Sequence, residues 1–276
     1  MPIVTTEPEM VAGAASSLWD IDAAEWALQE PATAKAGRIV RRKILQSSAL
    51  DPEQRSELID RLYAIQCETL SGESREEFEA GIFGKGEVCF ALFYGKRGEL
   101  AGFSHAAIER IEHAGRSHAV FCAGVFFRPG YHGGLSAMLF AIRQSLRFKL
   151  REPLTPLAYL TRSTTPIAYR LLAMATPRLY PSPSYETPDE VDALVRDISV
   201  RRGYGVQHGN PWVVRENYGP SDPSRMSRLE HDPYVRFYTE LNPRYAAGEA
   251  LLTWIPVDAA NIVGGILRVL RARLAR

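Results

Sequence analysis

The residues with the most chemistry to offer lie in one run: Val120-Phe121-Cys122-Ala123-Gly124-Val125-Phe126-Phe127-Arg128-Pro129-Gly130-Tyr131-His132-Gly133-Gly134-Leu135-Ser136-Ala137-Met138-Leu139. An apolar, strand-like stretch enters a glycine-bearing turn, and a helical pattern follows. The first backbone N–H groups of a helix have no intrahelical acceptor, and the helix dipole adds positive partial charge at that end. Such a turn suits phosphate. Many strand-to-helix turns also bind nothing, so a packing turn is the competing reading. Three bases lie close by in sequence. His118 opens the same strand, and His105 and Glu109 stand on the strand before it. An imidazole of ordinary pKa, about 6.5, can serve as a general base near neutral pH. The competing reading of His118 is the solvent-facing start of a strand.

These residues need elements to hold them. Residues 1–37 read as a loose arm with one short helix, Leu18 to Gln29. Arg38 to Leu45 is rich enough in β-formers for a first strand. Asp51-Pro52-Glu53-Gln54 combines a cap, a proline at the first helical position and a reciprocating Gln, and predicts a helix to about Thr69. A second helix spans Ser74 to Phe83. Three strands follow, Glu87 to Tyr94, Glu99 to Arg110 and Arg116 to Phe127, joined by Gly95-Lys96-Arg97-Gly98 and His113-Ala114-Gly115, and they read as an antiparallel meander. Then come a helix at Leu135 to Leu150, an apolar strand at Leu154 to Leu160 and a helix at Pro166 to Ala175. The order β-α-α-β-β-β-α-β-α predicts an α+β / α/β chain, with helices covering one mixed, mostly antiparallel sheet.

Pro181, Pro183 and Pro188 mark a change of character, so the core is expected at 38–183 and residues 184–276 as a C-terminal extension packed on it. Thr187-Pro188-Asp189-Glu190 predicts a cap for a helix to about Ser199. A strand at Trp212 to Arg215, a polar loop from Glu216 to Arg228, a short helix, a strand near Ala250 to Ile255 and a final helix complete the chain.

Composition narrows the function. Thirty-three basic residues against thirty-two acidic ones leave a net charge of +1, too little to draw the chain onto nucleic acid by counterion release. The 46% apolar and 24% charged content belongs to a folded globular chain. Three widely spaced cysteines, Cys67, Cys89 and Cys122, fit a reducing cytoplasm and no zinc spacing. No secretory signal or spanning helix is legible, so a cytoplasmic location is expected. His113, His208 and His231 have no metal-ligand spacing, so no metal is expected. Gly203-Tyr204-Gly205 follows an Arg-rich helical segment and reads as turn glycines, not as a dinucleotide loop.

Val125-Phe126-Phe127-Arg128-Pro129-Gly130-Tyr131-His132-Gly133, with Ala137 at the last small-residue position, resembles the pyrophosphate loop of the GCN5-related N-acetyltransferase superfamily. The order of elements over residues 38–183 is similar to that family's. The resemblance implies acyl-CoA as donor, bound at Val125, Phe126, Phe127, His132, Gly133, Gly134, Leu135, Ser136, Ala137 and Thr165. Direct transfer to an amine-bearing small molecule or peptide is implied too. His132 stands where Arg or Gln is usual and Leu135 where glycine is usual, which admits an acyl carrier protein as donor. In the histone-acetylating branch a glutamate precedes the same Val-Phe-Cys-Ala run by two residues, and His118 occupies that place. Thr165 replaces an Asn. The general-acid tyrosine would fall at Leu172, with Tyr169 three residues earlier on the same helical face. An alternative is an acyl-ligand or protein-interaction module that has lost the chemistry. The final helix, with Ile262, Val263, Ile266, Leu267, Leu270 and Leu274 on one side, reads as a packing helix whose stripe covers the sheet or a partner, a roof over a long acyl tunnel, or a membrane-surface helix, and a homodimer is compatible with the sequence.

Overall fold

The computed structural model describes residues 37–68, 72–84, 86–131, 133–216, 229 and 231–274. The helix expected at Leu18–Gln29 and the polar loop after Glu216 lie outside them. The described elements run in the order β1 (Ile39–Gln46), α1 (Pro52–Cys67), α2 (Arg75–Phe83), β2 (Val88–Gly95), β3 (Leu100–His113), β4 (Arg116–Phe127), α3 (Gly134–Arg151), β5 (Leu157–Ser163) and α4 (Pro166–Ala175). There follow α5 (Asp189–Arg201), β6 (Val206–Gln207), β7 (Asn210–Arg215), α6 (Pro233–Leu241), β8 (Glu249–Pro256) and α7 (Ala259–Leu274). Among the described residues the strands form one mixed, mostly antiparallel sheet in the order β1-β2-β3-β4-β5-β8-β7-β6. No helix among them is long and apolar enough to cross a membrane.

The chain divides into two compact units. The first comprises the described residues of Met1–Thr69, Ser74–Ile108 and Ala123–Leu150. Both its early helices begin on capping boxes. The Asp51 carboxylate accepts from Gln54 N–H at 2.8 Å while the Gln54 side chain accepts from Asp51 N–H, and Ser74 and Glu77 repeat the exchange. Each such cap is worth about 0.5–2 kcal/mol. Helix α1 buries Leu58, Ile59, Leu62 and Ile65 on one face, against a cluster that includes Phe78, Phe90 and Phe103. Every residue of β2 is buried, which explains its unbroken apolar run Val88-Cys89-Phe90-Ala91-Leu92-Phe93.

The second unit comprises Leu70–Glu73, Glu109–Cys122 and Arg151–Arg276, so far as they are described. Strands β4 and β5 run parallel, Ala119 opposite Leu157 and Phe121 opposite Tyr159, as a crossover through a helix requires. Strand β8 lies antiparallel to β5, with Ala158 opposite Pro256 and Ser163 opposite Leu251, so the C-terminal segment supplies strands of the sheet itself. The apolar core around Tyr169, Val195, Ile198, Tyr238, Leu251 and Leu252 draws on α4, α5, α6 and β8 together.

Two details depart from the sequence reading. Strand β5 begins at Leu157 and not at Leu154, which is 94% exposed in the turn after α3. The prolines Pro153 and Pro156 donate no ladder hydrogen bond, and the strand starts beyond them. Thr187 does not cap α5. The capping position is Pro188, with no side-chain hydrogen bond, and three acidic residues in the first turn, Asp189, Glu190 and Asp192, favour that end instead. Helix α7 rests on its glycines: a Cβ at Gly264 would meet Pro177, and Arg268 donates to the carbonyls of Ala173 and Thr176. Val263 and Leu267, two members of its apolar stripe, are exposed.

Candidate active site

The turn after β4 is fixed by its own residues, all in the first unit. Arg128 N–H donates to Ala101 O and its Nε to Leu100 O, each at 2.9 Å, while its guanidinium pairs with Glu68. Tyr131 N–H returns to Arg128 O at 3.1 Å, closing a turn in which Gly130 takes φ +85°. The Tyr131 hydroxyl donates to Glu99, which holds that carboxyl below its usual range, first through this hydrogen bond. The Tyr131 ring lies where a Cβ at Gly37 would have to be.

Helix α3 then starts without an acidic residue in its first turn. Its first backbone bond runs from Ala137 N–H to Gly133 O at 3.0 Å. The N–H groups of Gly134, Leu135 and Ser136 precede that bond and have no acceptor inside the helix. Gly133 is buried beneath the Phe127 ring, which also covers Gly102 and packs, tilted, with its centroid 5.2 Å from that of Phe93. Ala137 is buried. His132 lies outside the described residues. On β4 itself Val125 is 46% exposed, and Gly124, Phe126 and Phe127 are half-buried or close to it.

The three bases have different surroundings. His105 stacks at 6.3 Å on both Phe103 and Phe126, over Gly124, where a Cβ would strike the imidazole. The neighbouring Ser104 hydroxyl donates to Gly124 O at 2.9 Å. His118 is buried near the start of β4, its ring 6.4 Å from that of His113, which bonds Asp197 at 2.9 Å. Burial and then the neighbouring His113 push the His118 pKa below its ordinary value, so the imidazole is neutral around pH 7. Glu109 is engaged by Arg202, whose Nε lies 3.1 Å from its carboxylate.

That pair belongs to a charge cluster in the second unit which the sequence reading did not find. Arg202 also lies 3.2 Å from Cys122 Sγ and donates to the Tyr204 hydroxyl at 3.2 Å. Arg162 sits 5.5 Å from the Tyr204 ring and pairs at 2.9 Å with the buried carboxylate of Glu216. Burial works against the Arg202 charge, but Cys122, Tyr204 and Glu109 outweigh it and raise its pKa. The only sequence signal is Arg201-Arg202-Gly203-Tyr204-Gly205, an arginine pair running into glycines, and it reads as a plain turn.

Helix α4 places the remaining candidates. The Thr165 hydroxyl caps it, accepting from Ala168 N–H at 3.1 Å. Tyr169 is fully buried between Phe237 and Tyr238, and its hydroxyl donates to Pro181 O at 2.8 Å. Burial, its largest influence, raises that hydroxyl's pKa, so it holds its proton firmly within the core.

No family model matches the chain, and no curated protein does. Among solved structures it is similar to a conserved Enterococcus faecalis V583 protein described as a probable N-acyltransferase, at 15% identity and TM-score 0.31, over 49% of this chain and 32% of that one. It is also similar to a fungal multi-domain GH3 β-N-acetylglucosaminidase with a GCN5-related glucosamine N-acetyltransferase region, at 12% identity and TM-score 0.36, over 79% of this chain and 26% of that one. The matches span about a third and about a quarter of those two chains.

Proposed function

We propose that the chain is an N-acyltransferase that moves an acyl group from a thioester, acyl-CoA or an acyl carrier protein, directly to an amine. The observation that carries this reading is the β4-to-α3 junction. A half-exposed strand end leads through a turn pinned at Arg128 and Tyr131 to a helix start whose N–H groups at Gly134, Leu135 and Ser136 lack intrahelical acceptors. These groups would hold the phosphates common to CoA and the carrier's prosthetic arm. The backbone of Val125 and Phe127 would bond the amides of that arm.

Direct transfer asks for a neutral amine at the thioester carbonyl. The amine nitrogen forms the new C–N bond, the C–S bond breaks, and the thiolate leaves with the electron pair and takes up the proton that the acylated nitrogen sheds. The ammonium proton must go to a base first. Of the three candidates, His105 stands over Gly124, on the same half-exposed end of β4 as Val125. His118 lies buried against His113 and Glu109 is in an ion pair, so this reading assigns the proton to His105 and leaves His118 a structural role.

Calorimetric titration with acetyl-, octanoyl- and palmitoyl-CoA, paired with thiol release over a panel of amines, tests the proposal. Binding with amine-dependent thiol release supports it, and His105→Ala should then lower turnover by roughly 10²–10⁴ with donor affinity unchanged. Binding without turnover would make the chain an acyl-ligand module. No binding of CoA thioesters or of acyl carrier protein would overturn the reading.

A further inference from the structure

Helix α3 is apolar on two opposite sides. Phe140 and Phe148 are buried on one of them, with Ala137 and Ser145. On the other, Leu139, Ile142, Leu146 and Leu150 are 51%, 40%, 43% and 82% exposed. Steps of three and four residues set these four in one row, about 17 Å along the helix axis. A surface helix ordinarily carries charge on its outer face, and a contiguous exposed apolar patch marks a surface that meets something. Arg147 is exposed beside the row, one position after Leu146.

The chemistry of this face selects its occupant. Over its whole length α3 holds Arg143, Arg147, Lys149 and Arg151 and neither Asp nor Glu. Glu152, the first acid beyond it, is already paired with Arg110. The one side-chain amide of the helix, Gln144, turns the other way and donates to Cys89 Sγ at 3.4 Å. From Leu139 to Leu150 the outer face therefore presents aliphatic and cationic groups. A protein partner is held by directional hydrogen bonds over about 20–30 residues a side, far more than one row of four. A second copy would set like charges against each other with no carboxylate between them. An anionic lipid surface asks for neither, since it takes aliphatic side chains without direction and draws Lys and Arg to its headgroups. No described helix is long and apolar enough to cross a bilayer, so the contact is with the surface.

We propose that the outer row of α3 docks this protein on an anionic lipid surface, with Leu139, Ile142, Leu146 and Leu150 set among the headgroups and upper acyl chains and Arg147 toward the lipid phosphates. The helix axis then lies parallel to the surface. Leu139 is five residues from the start of the helix, about 8 Å along the axis, so the β4-to-α3 turn is held beside the lipid.

Flotation of the full chain with vesicles tests this. The parent should float with vesicles of phosphatidylcholine and phosphatidylglycerol and stay behind with phosphatidylcholine alone, and high salt should weaken the association. Ile142→Ser with Leu146→Ser should bind at least about tenfold more weakly, with the far-ultraviolet circular dichroism and Tm of the parent. Arg147→Glu should weaken binding roughly tenfold through charge alone. Val200→Ser, which removes an exposed apolar side chain from α5, should bind as the parent does. A fluorescent probe separates docking from any folding defect. In a Cys67→Ser chain, whose remaining thiols Cys89 and Cys122 are buried, Ile142→Cys labelled with nitrobenzoxadiazole should brighten and shift to the blue on the anionic vesicles, and Val200→Cys should not. No flotation, equal flotation with and without phosphatidylglycerol, flotation that the row variant retains, or a label at position 142 that stays in water overturns the proposal. So does a dimer, seen by sedimentation velocity, that Ile142→Ser with Leu146→Ser dissociates, because the row then belongs to a second copy.

Discussion

The Phe127 ring closes over Gly133 so tightly that a Cβ at that position would overlap it. The last residue of β4 and the residue that accepts the first backbone bond of α3 are thereby locked together, and the helix start cannot drift from the strand end.

Replacing that glycine should therefore be felt twice. Gly133→Ala is expected to destabilise the fold by about 1–3 kcal/mol through overpacking, and to weaken CoA binding more than a surface substitution of equal stability cost. Urea denaturation set beside calorimetric titration separates the two effects. Parent-like affinity in the folded variant would remove the junction from the donor site.

The buried His118 predicts a pH dependence of stability. Its folded pKa lies below the unfolded value, chiefly through burial. Above pH 6.5 or so the imidazole is neutral in both states and the stability is fully present. As pH falls below the unfolded pKa, the unfolded chain takes up the proton more readily, and stability drops until the folded pKa is passed. His118→Gln should flatten this limb, read as the difference between parent and variant in urea midpoints at pH 5 and pH 8. An unchanged limb would show that His118 does not titrate differently on folding.

Arg202 should matter more to stability than an exposed arginine does. Its side chain is 9% exposed and that of Glu109 is 29% exposed, so Arg202→Met strands a carboxylate that water reaches only in part. A loss of up to about 3 kcal/mol is expected, part of it recovered by adding Glu109→Gln. A strictly additive double variant would show that the two side chains are not coupled.

Tyr169→Phe removes a hydroxyl from the core and leaves Pro181 O without its donor. The expected cost is about 0.5–1.5 kcal/mol of stability, with the pH profile of turnover unchanged. A lost alkaline limb with unchanged Tm would return Tyr169 to the chemistry.

Where sequence signals were local, they were legible. The Asp51–Gln54 cap, the helix from Ser74, the meander and the glycine-bearing turn after Phe127 each depend on residues close together in the chain, and their side chains declare the geometry. The Arg202 cluster escaped because Glu109 and Arg202 are 93 residues apart along the chain and come together only once β3 and α5 are in place. Strand β5 was shifted by three residues because Leu154 looks like a strand residue until its exposure is known. Tyr169 shares a helical face with Leu172, but periodicity cannot tell a side chain aimed at a substrate from one enclosed by Phe237 and Tyr238.

The place of β8 beside β5 has a consequence for synthesis on the ribosome. Ala158 finds its partner at Pro256 only after nearly a hundred further residues have emerged, so β5 leaves the exit tunnel with one of its edges unpaired. Closing a loop of that length is slow on the scale of helix and hairpin formation. During translation, the apolar edge of Leu157–Leu160 is the segment that chaperones, or other nascent copies, would meet first.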